Sequence, residues 1–219
     1  TMTDAGMEDE GKLFRKKILL SMLLPGILVI LMWLVKITEV LFGFSLTTFG
    51  IYPMTLRGLP GIIFSPFVHA GFNHLFDNTL PLFFLGTALF YFYSEVAIKV
   101  FLWTWLLTGL FVWIAGRQAW HIGASGLVYG LAAFLFFSGI LRRYFRLVAL
   151  SLLIVFLYGS MVWGIFPGIY QNVSWESHML GFVSGIILAI HYRRRGPQAP
   201  VYEWMEEEDE EDNDQNPAL

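Results

Sequence analysis

His121-Ile122-Gly123-Ala124-Ser125-Gly126-Leu127-Val128-Tyr129-Gly130 joins a small, hydroxyl-bearing loop to an apolar segment without a break. A serine therefore stands where a membrane helix begins. The first N–H groups of a helix lack intrahelical partners and point at incoming negative charge, which favours a nucleophile at that place. Gly-Ala-Ser-Gly is equally the pattern of close helix packing in lipid. Partners elsewhere in the chain must decide between the two readings.

The surroundings of this stretch are those of a membrane protein. The chain has 219 residues, of which 56% are hydrophobic, 17% aromatic and 14% charged. Soluble domains are typically about 45–50% apolar and about 25% charged. There is no cysteine, which excludes disulfides, thiol catalysis and thiolate metal sites. The net charge of −3 mostly reflects a terminal acidic run and points to no nucleic-acid partner. Arg15-Lys16-Lys17 leads into a long apolar run with no small-residue cleavage site at secretory-signal distance, so this run is read as an uncleaved first helix.

Apolar segments and their breakers predict six spans in an all-α polytopic bundle. The first covers Ile18 to about Val35, with helical pattern continuing to Phe42 and Pro25-Gly26 tolerated as a kink. The others run from about Asn73 to Tyr93, Val100 to Ala115, Ser125 to Leu141, Phe145 to Trp163 and Trp175 to Tyr192. Between the first two, Gly50, Pro53, Gly58, Pro60, Gly61 and Pro66 punctuate an apolar loop too irregular to cross the bilayer. Such long loops are commonly functional, and this one is expected in the membrane interface. Gly164 to Ser174, with Pro167, Gly168 and Asn172, is a second loop. The expected organisation is a cytoplasmic segment 1–17, a six-helix domain 18–195 and an acidic, disordered cytoplasmic tail 196–219.

Arg15-Lys16-Lys17, Lys99, Arg142-Arg143, Arg146 and Arg193-Arg194-Arg195 fall on one side of this arrangement, against Lys36, Arg57 and Arg117 on the other. The positive-inside rule then puts both termini in the cytoplasm and Ser125 toward the opposite face. A fourth helix of about 16–17 residues is ~25 Å long, shorter than a ~30 Å hydrocarbon core. Ser125 is thus expected below the outer surface. Irregular backbone at that depth must be enclosed by protein or face water, so a wet pocket is predicted around it.

His178 is the candidate base, at the outer start of the sixth helix. Gly181 and Gly185 share its face, as Gly126 and Gly130 lie near the face of Ser125, and facing glycines let two helices approach closely. The rival reading is a membrane histidine bonded to a backbone carbonyl. His74 and Asn78 are four apart on one helix face and can donate hydrogen bonds to an oxyanion beside the Ser125 N–H. They can equally hold down the first loop. Tyr129, one turn below Ser125, can stack on His178 or merely pack. Asp77 points elsewhere by about 100° and reads as a structural acceptor. Glu176 faces away from His178, which leaves a dyad. His69 and His121 read as ties for loop backbone. The four histidines outside the last helix's end carry no His-Glu-x-x-His signature, so no metal site is predicted.

The chain resembles a rhomboid intramembrane serine protease. The resemblance rests on Gly123-Ala124-Ser125-Gly126 with Tyr129, on His178 with Gly181 and Gly185, and on His74 with Asn78 after Phe67-Val68-His69-Ala70-Gly71-Phe72-Asn73. It covers about Gly50 to Gly185, in the family's order. The resemblance implies Ser125 as nucleophile, His178 as general base, and His74, Asn78 and the Ser125 N–H as oxyanion hole. It further implies substrates that are transmembrane proteins, cut in or near the membrane, and no metal or cofactor. Location as a multi-pass protein of the cell membrane, with the site open to the extracytoplasmic side, goes with this. Fifth-helix aromatics and the Gly164–Ser174 loop would be a lateral gate or cap. One departure is Leu56-Arg57, where many members carry Trp-Arg. Two rivals stand beside this reading. A catalytically inactive relative that binds or escorts membrane proteins typically loses the serine or histidine. A small transporter would want an internal repeat or discontinuous helices.

Overall fold

The computed structural model describes residues 4–169 and 173–198. The helices are α1 (Asp4–Phe42), α2 (Gly61–Phe64), α3 (Phe72–Phe92), α4 (Ala97–Ala115), α5 (Ser125–Arg142), α6 (Phe145–Tyr158) and α7 (Trp175–His191). No strand occurs among the described residues, only one antiparallel bridge between Ile51 and His121. The chain is an all-α, polytopic membrane protein. Four helices (α1, α3, α4 and α5) are long and apolar enough to cross a bilayer.

Several boundaries differ from expectation, each for a local reason. α1 begins at Asp4, so most of the segment 1–17 is helical, and Pro25 is carried inside a helix of 39 residues. The pyrrolidine ring of Pro25 lies over Gly86 of α3, where a Cβ would crowd it. α6 ends at Tyr158, short of Trp163, because the backbone tightens into a 3₁₀ turn over Gly159–Ile165. The first loop is irregular as expected but contains α2 and 3₁₀ turns at Thr47–Phe49, Leu56–Gly58 and Ser65–Phe67. Asn172 and the acidic run 203–214 lie outside the described residues.

α5 is the hub. Twelve of its 18 residues are buried, because it packs against α3, α4, α6 and α7 together. Its contact with α7 is made by glycines. A Cβ on Gly181 would run into the carbonyl oxygen of Gly126, one on Gly185 into that of Gly130, and one on Gly130 into Thr104 of α4. In lipid no hydrophobic force draws two apolar helices together, so close backbone approach supplies the van der Waals contact instead. α1 packs on α3 differently. Ser21, Pro25, Leu28, Met32, Lys36 and Glu39 are its buried positions, spaced by three and four, the signature of one helix face. Trp33 Nε1 on the flank of that stripe donates to Thr79 Oγ1 at 3.0 Å.

The loops are fastened to each other at one end of the bundle. Ile51 exchanges backbone bonds with His121 at 2.9 and 2.8 Å. Arg57, beside the departure at Leu56, lies over the rings of Tyr52 (4.6 Å) and Trp120 (5.4 Å). At the other end the Arg142 side chain donates to Ser138 Oγ and to the carbonyls of Tyr192, Arg195 and Pro197, which ties the chain after α7 to the end of α5.

Candidate active site

Ser125 is the first residue of α5 and is half-buried. Ahead of it Gly123 has φ +103°, a conformation that favours glycine, and its N–H donates to Ser65 O at 2.9 Å. A Cβ there would also collide with the His74 ring. Gly123 is thus required twice, by backbone conformation and by space. His178 lies one turn into α7. The helix starts at Ser174, whose Oγ accepts from the Ser177 N–H at 3.3 Å.

Ser125, Tyr129, His178, His74 and Asn78 all line one cleft of about 800 Å³. The His178 ring is stacked on Tyr129, with centroids 4.2 Å apart and planes within 8°. Its Nδ1 is 2.9 Å from Gly164 O. A carbonyl oxygen has no proton to give, so Nδ1 carries the hydrogen and Nε2 of the neutral ring holds the lone pair. Among the described residues no hydrogen bond joins Ser125 Oγ to that ring. The carbonyl contact, offered above as the rival reading for His178, is present; it involves one ring nitrogen and leaves the other.

Opposite, Asn78 is buried and its Nδ2 donates to His74 O at 2.7 Å, leaving a second amide hydrogen uncommitted by that bond. His74 packs its ring against Gly123 and edge-on to His69, with centroids 5.1 Å apart. Asp77 lines the same cleft. A turn of about 100° from Asn78 does not take it out of a cleft this wide, because it is exposed on the same end of α3.

Of the two histidines expected to tie loop backbone, the His121 ring does so among the described residues and the His69 ring does not. His121 Nε2 is 3.0 Å from Arg117 O, and its Nδ1 meets Ser174 Oγ. The carbonyl requires the proton on Nε2, so Nδ1 accepts from the Ser174 hydroxyl, which in turn accepts from Ser177 Oγ at 2.7 Å. Burial lowers the His121 pKa, which keeps this neutral tautomer. Arg117 Nη2 donates to Val173 O at 3.1 Å, and its Nε is 3.5 Å from Glu176 Oε1. The loop before Ser125 is therefore bonded to the start of the helix that carries His178. Spacing cannot reveal this, because the partners lie more than fifty residues apart. His69 is tied only through its backbone, since Lys36 Nζ is 3.0 Å from its carbonyl oxygen. Neither of its ring nitrogens makes a well-formed hydrogen bond among the described residues, although the Phe67 backbone is close.

A rhomboid-domain family model matches residues 56–195. The chain belongs to the rhomboid family. That makes it an integral membrane protein of the family of intramembrane serine proteases. Relatives include proteins of Mycobacterium tuberculosis and Mycobacterium bovis, each 36% identical over 173 residues, covering 74% of this chain and 70% of theirs. A Mycobacterium leprae relative is 33% identical over 172 residues, covering 73% and 66%. All three are named only as uncharacterized proteins. The rhomboid match begins after α1, which it leaves outside.

Proposed function

We propose that this rhomboid is an active serine endopeptidase that cuts transmembrane proteins within or at the edge of the bilayer. The observation that carries the reading is the His178 ring. It is pinned by Tyr129 on its face and Gly164 O on its edge, in a cleft shared with Ser125. A base held in one tautomer and one orientation is what nucleophilic attack by a hydroxyl requires.

In the proposed mechanism Ser125 Oγ attacks a substrate carbonyl while its proton passes to His178 Nε2. Negative charge on the carbonyl oxygen is met by the Ser125 N–H at the α5 terminus and by donors from His74 and Asn78. The tetrahedral centre collapses as His178 gives its proton to the leaving amine, and an acyl-serine remains. Water entering the cleft repeats the cycle, with His178 as base, and frees the serine. Catalytic hydrogen bonds in unliganded enzymes are often long and tighten only when substrate arrives, which fits an unformed Ser125–His178 bond. Gly126, Gly181 and Gly185 contribute by letting α5 and α7 approach, and Gly123 by making room for the His74 ring beside Ser125.

A substrate helix has its backbone groups paired, so the scissile carbonyl must be exposed by local unwinding. Substrates are therefore single-pass or other membrane proteins with helix-weakening Gly or Pro near the cut. By the positive-inside rule, the basic residues at the helix ends support a reading in which both termini are cytoplasmic, the protein sits in the cell membrane and the cleft opens to the extracytoplasmic side.

The test is purified protein with a fluorophosphonate probe and a model transmembrane substrate, beside Ser125→Ala and His178→Ala. Wild type should label and cleave, and each variant should lose on the order of 10⁴-fold or more. Cleavage retained by Ser125→Ala, or an inert wild type, sinks the reading; the latter returns the chain to a role in binding or escorting membrane proteins.

A further inference from the structure

Lys36 and Glu39 sit at the end of the buried stripe of α1, where an apolar continuation would be ordinary. Each side chain is 9% exposed, and Lys36 Nζ is 2.8 Å from Glu39 Oε2. The same ammonium reaches His69 O at 3.0 Å and Ala70 O at 3.4 Å. Glu39 Oε1 accepts from the Leu46 N–H at 2.8 Å. One ion pair thus fastens both ends of the irregular segment 43–71 onto α1.

Two buried charges carry a large desolvation penalty, offset only if their remaining hydrogen-bonding sites are satisfied. Here they are satisfied by backbone of the loop and of the entry to α3. His69 and Ala70 immediately precede Gly71, which starts α3 with no side-chain cap. Three residues later comes His74, its ring wedged between Gly123 and His69. Ala70 and His74 both line the cleft. The ammonium therefore holds the piece of backbone whose position sets where the His74 ring lies.

We infer that Lys36, held by Glu39, is a positioning residue for the oxyanion side of the site, supplied by a helix that lies outside the rhomboid match. The inference rests on the proposed protease reading for its catalytic consequence, and on geometry alone for its structural one. Lys36 touches no reacting atom. It acts through the His69–Ala70 carbonyls on His74.

The experiment uses the full chain in four forms: wild type, Lys36→Met, Lys36→Arg, and the double variant Lys36→Met with Glu39→Leu. The double variant leaves no unpaired buried charge, so it keeps the bundle folded if Lys36→Met alone does not. Two readouts are taken, amide hydrogen exchange over residues 68–75 and steady-state cleavage of a transmembrane substrate. Loss of the ammonium should raise exchange in that segment while α5 and α7 keep wild-type protection. It should lower kcat by roughly 10–100-fold at unchanged KM, since small misplacements of catalytic groups cost about that much. Lys36→Arg, which retains donors for both carbonyls, should recover most of the rate. Unchanged exchange overturns the inference, and so does a wild-type kcat in the double variant. An inert wild type overturns the protease reading instead, and the exchange readout still decides whether the clamp exists.

Discussion

The cleft is bounded by two helix seams built on opposite principles. Between α5 and α7 the helices meet backbone to backbone, with Gly126 and Gly130 facing Gly181 and Gly185. Ser125 and His178 ride on that seam. Between α1 and α3 the contact is made by side chains, through Trp33 to Thr79 and Lys36 to the His69 and Ala70 carbonyls. His74 and Asn78 ride on that one. A glycine seam has no rotamer with which to adjust, so it fixes distance and tolerates no added volume. A side-chain seam is tight where Pro25 lies over Gly86 but open at Gly26, and it fails when a buried polar group loses its partner. The proposed nucleophile and base would need an unvarying separation, which a glycine seam supplies.

Between the two seams, the largest difference should come from adding one methyl group to each. Gly181→Ala puts a Cβ against the Gly126 carbonyl, backbone that cannot move aside without parting the helices. We expect a loss of roughly 1–3 kcal/mol of stability, with cleavage falling by at least about tenfold as Ser125 and His178 separate. Gly26→Ala on α1 meets only Phe83 Cε2 at 3.8 Å, ordinary contact, and should leave thermal stability and cleavage rate near wild type. Equal losses from the two substitutions would break the distinction between the seams.

The next effect tests the polar side through pH. His69 is 2% exposed, and burial, with the neighbouring His74 second, pushes its imidazole down to about 4. An unfolded histidine titrates near 6.5. Between these values the unfolded chain binds a proton that the folded chain refuses, so stability falls as pH drops from about 6.5 toward 4 and is independent of this group above that window. The full loss is up to about 3 kcal/mol, at about 1.36 kcal/mol per pKa unit. Thermal unfolding of wild type and His69→Phe, at pH 7.5 and pH 4.5, should show a smaller acid decrement in the variant. Identical decrements would remove His69 from the account.

These seams were unequally legible in the sequence. The glycine rows announce themselves because four-residue spacing on two apolar segments has few other meanings in a membrane, and length and hydropathy locate α3, α4, α5 and α7 to within a few residues. Lys36 and Glu39 were not read as a clamp. Two opposite charges three apart look like a solvated helix surface, and only the buried stripe 21, 25, 28, 32, 36, 39 reveals that they continue the packed face. The Ile51–His121 bridge and the Ser177–Ser174–His121 chain join distant residues with no shared periodicity, so spacing was silent about both. The end of α6 was misplaced because an apolar run hides the change from α-helix to 3₁₀ turn at Gly159.

The smallest effect belongs to a fastening outside both seams, between Arg117 and Glu176. Arg117 is 51% exposed and Glu176 5%, at 3.5 Å. Half-solvated pairs of this kind are worth about 0–1 kcal/mol, but the two partners are not equivalent. Glu176 lies in the first turn of α7, where the helix dipole favours negative charge, and its Oε2 is buried without a partner among the described residues. Removing Arg117 leaves that carboxylate buried and uncompensated, whereas Glu176→Gln removes the burden along with the pair. Arg117→Gln should therefore cost more than Glu176→Gln, by about 0.5–1 kcal/mol in thermal or denaturant unfolding. Neither should move cleavage by more than about threefold, because the His121–Ser174 bond still joins the loop to α7. The reverse order of the two losses would mean that the carboxylate, not the guanidinium, holds the loop in place, and that this contact belongs with the polar seam rather than apart from it.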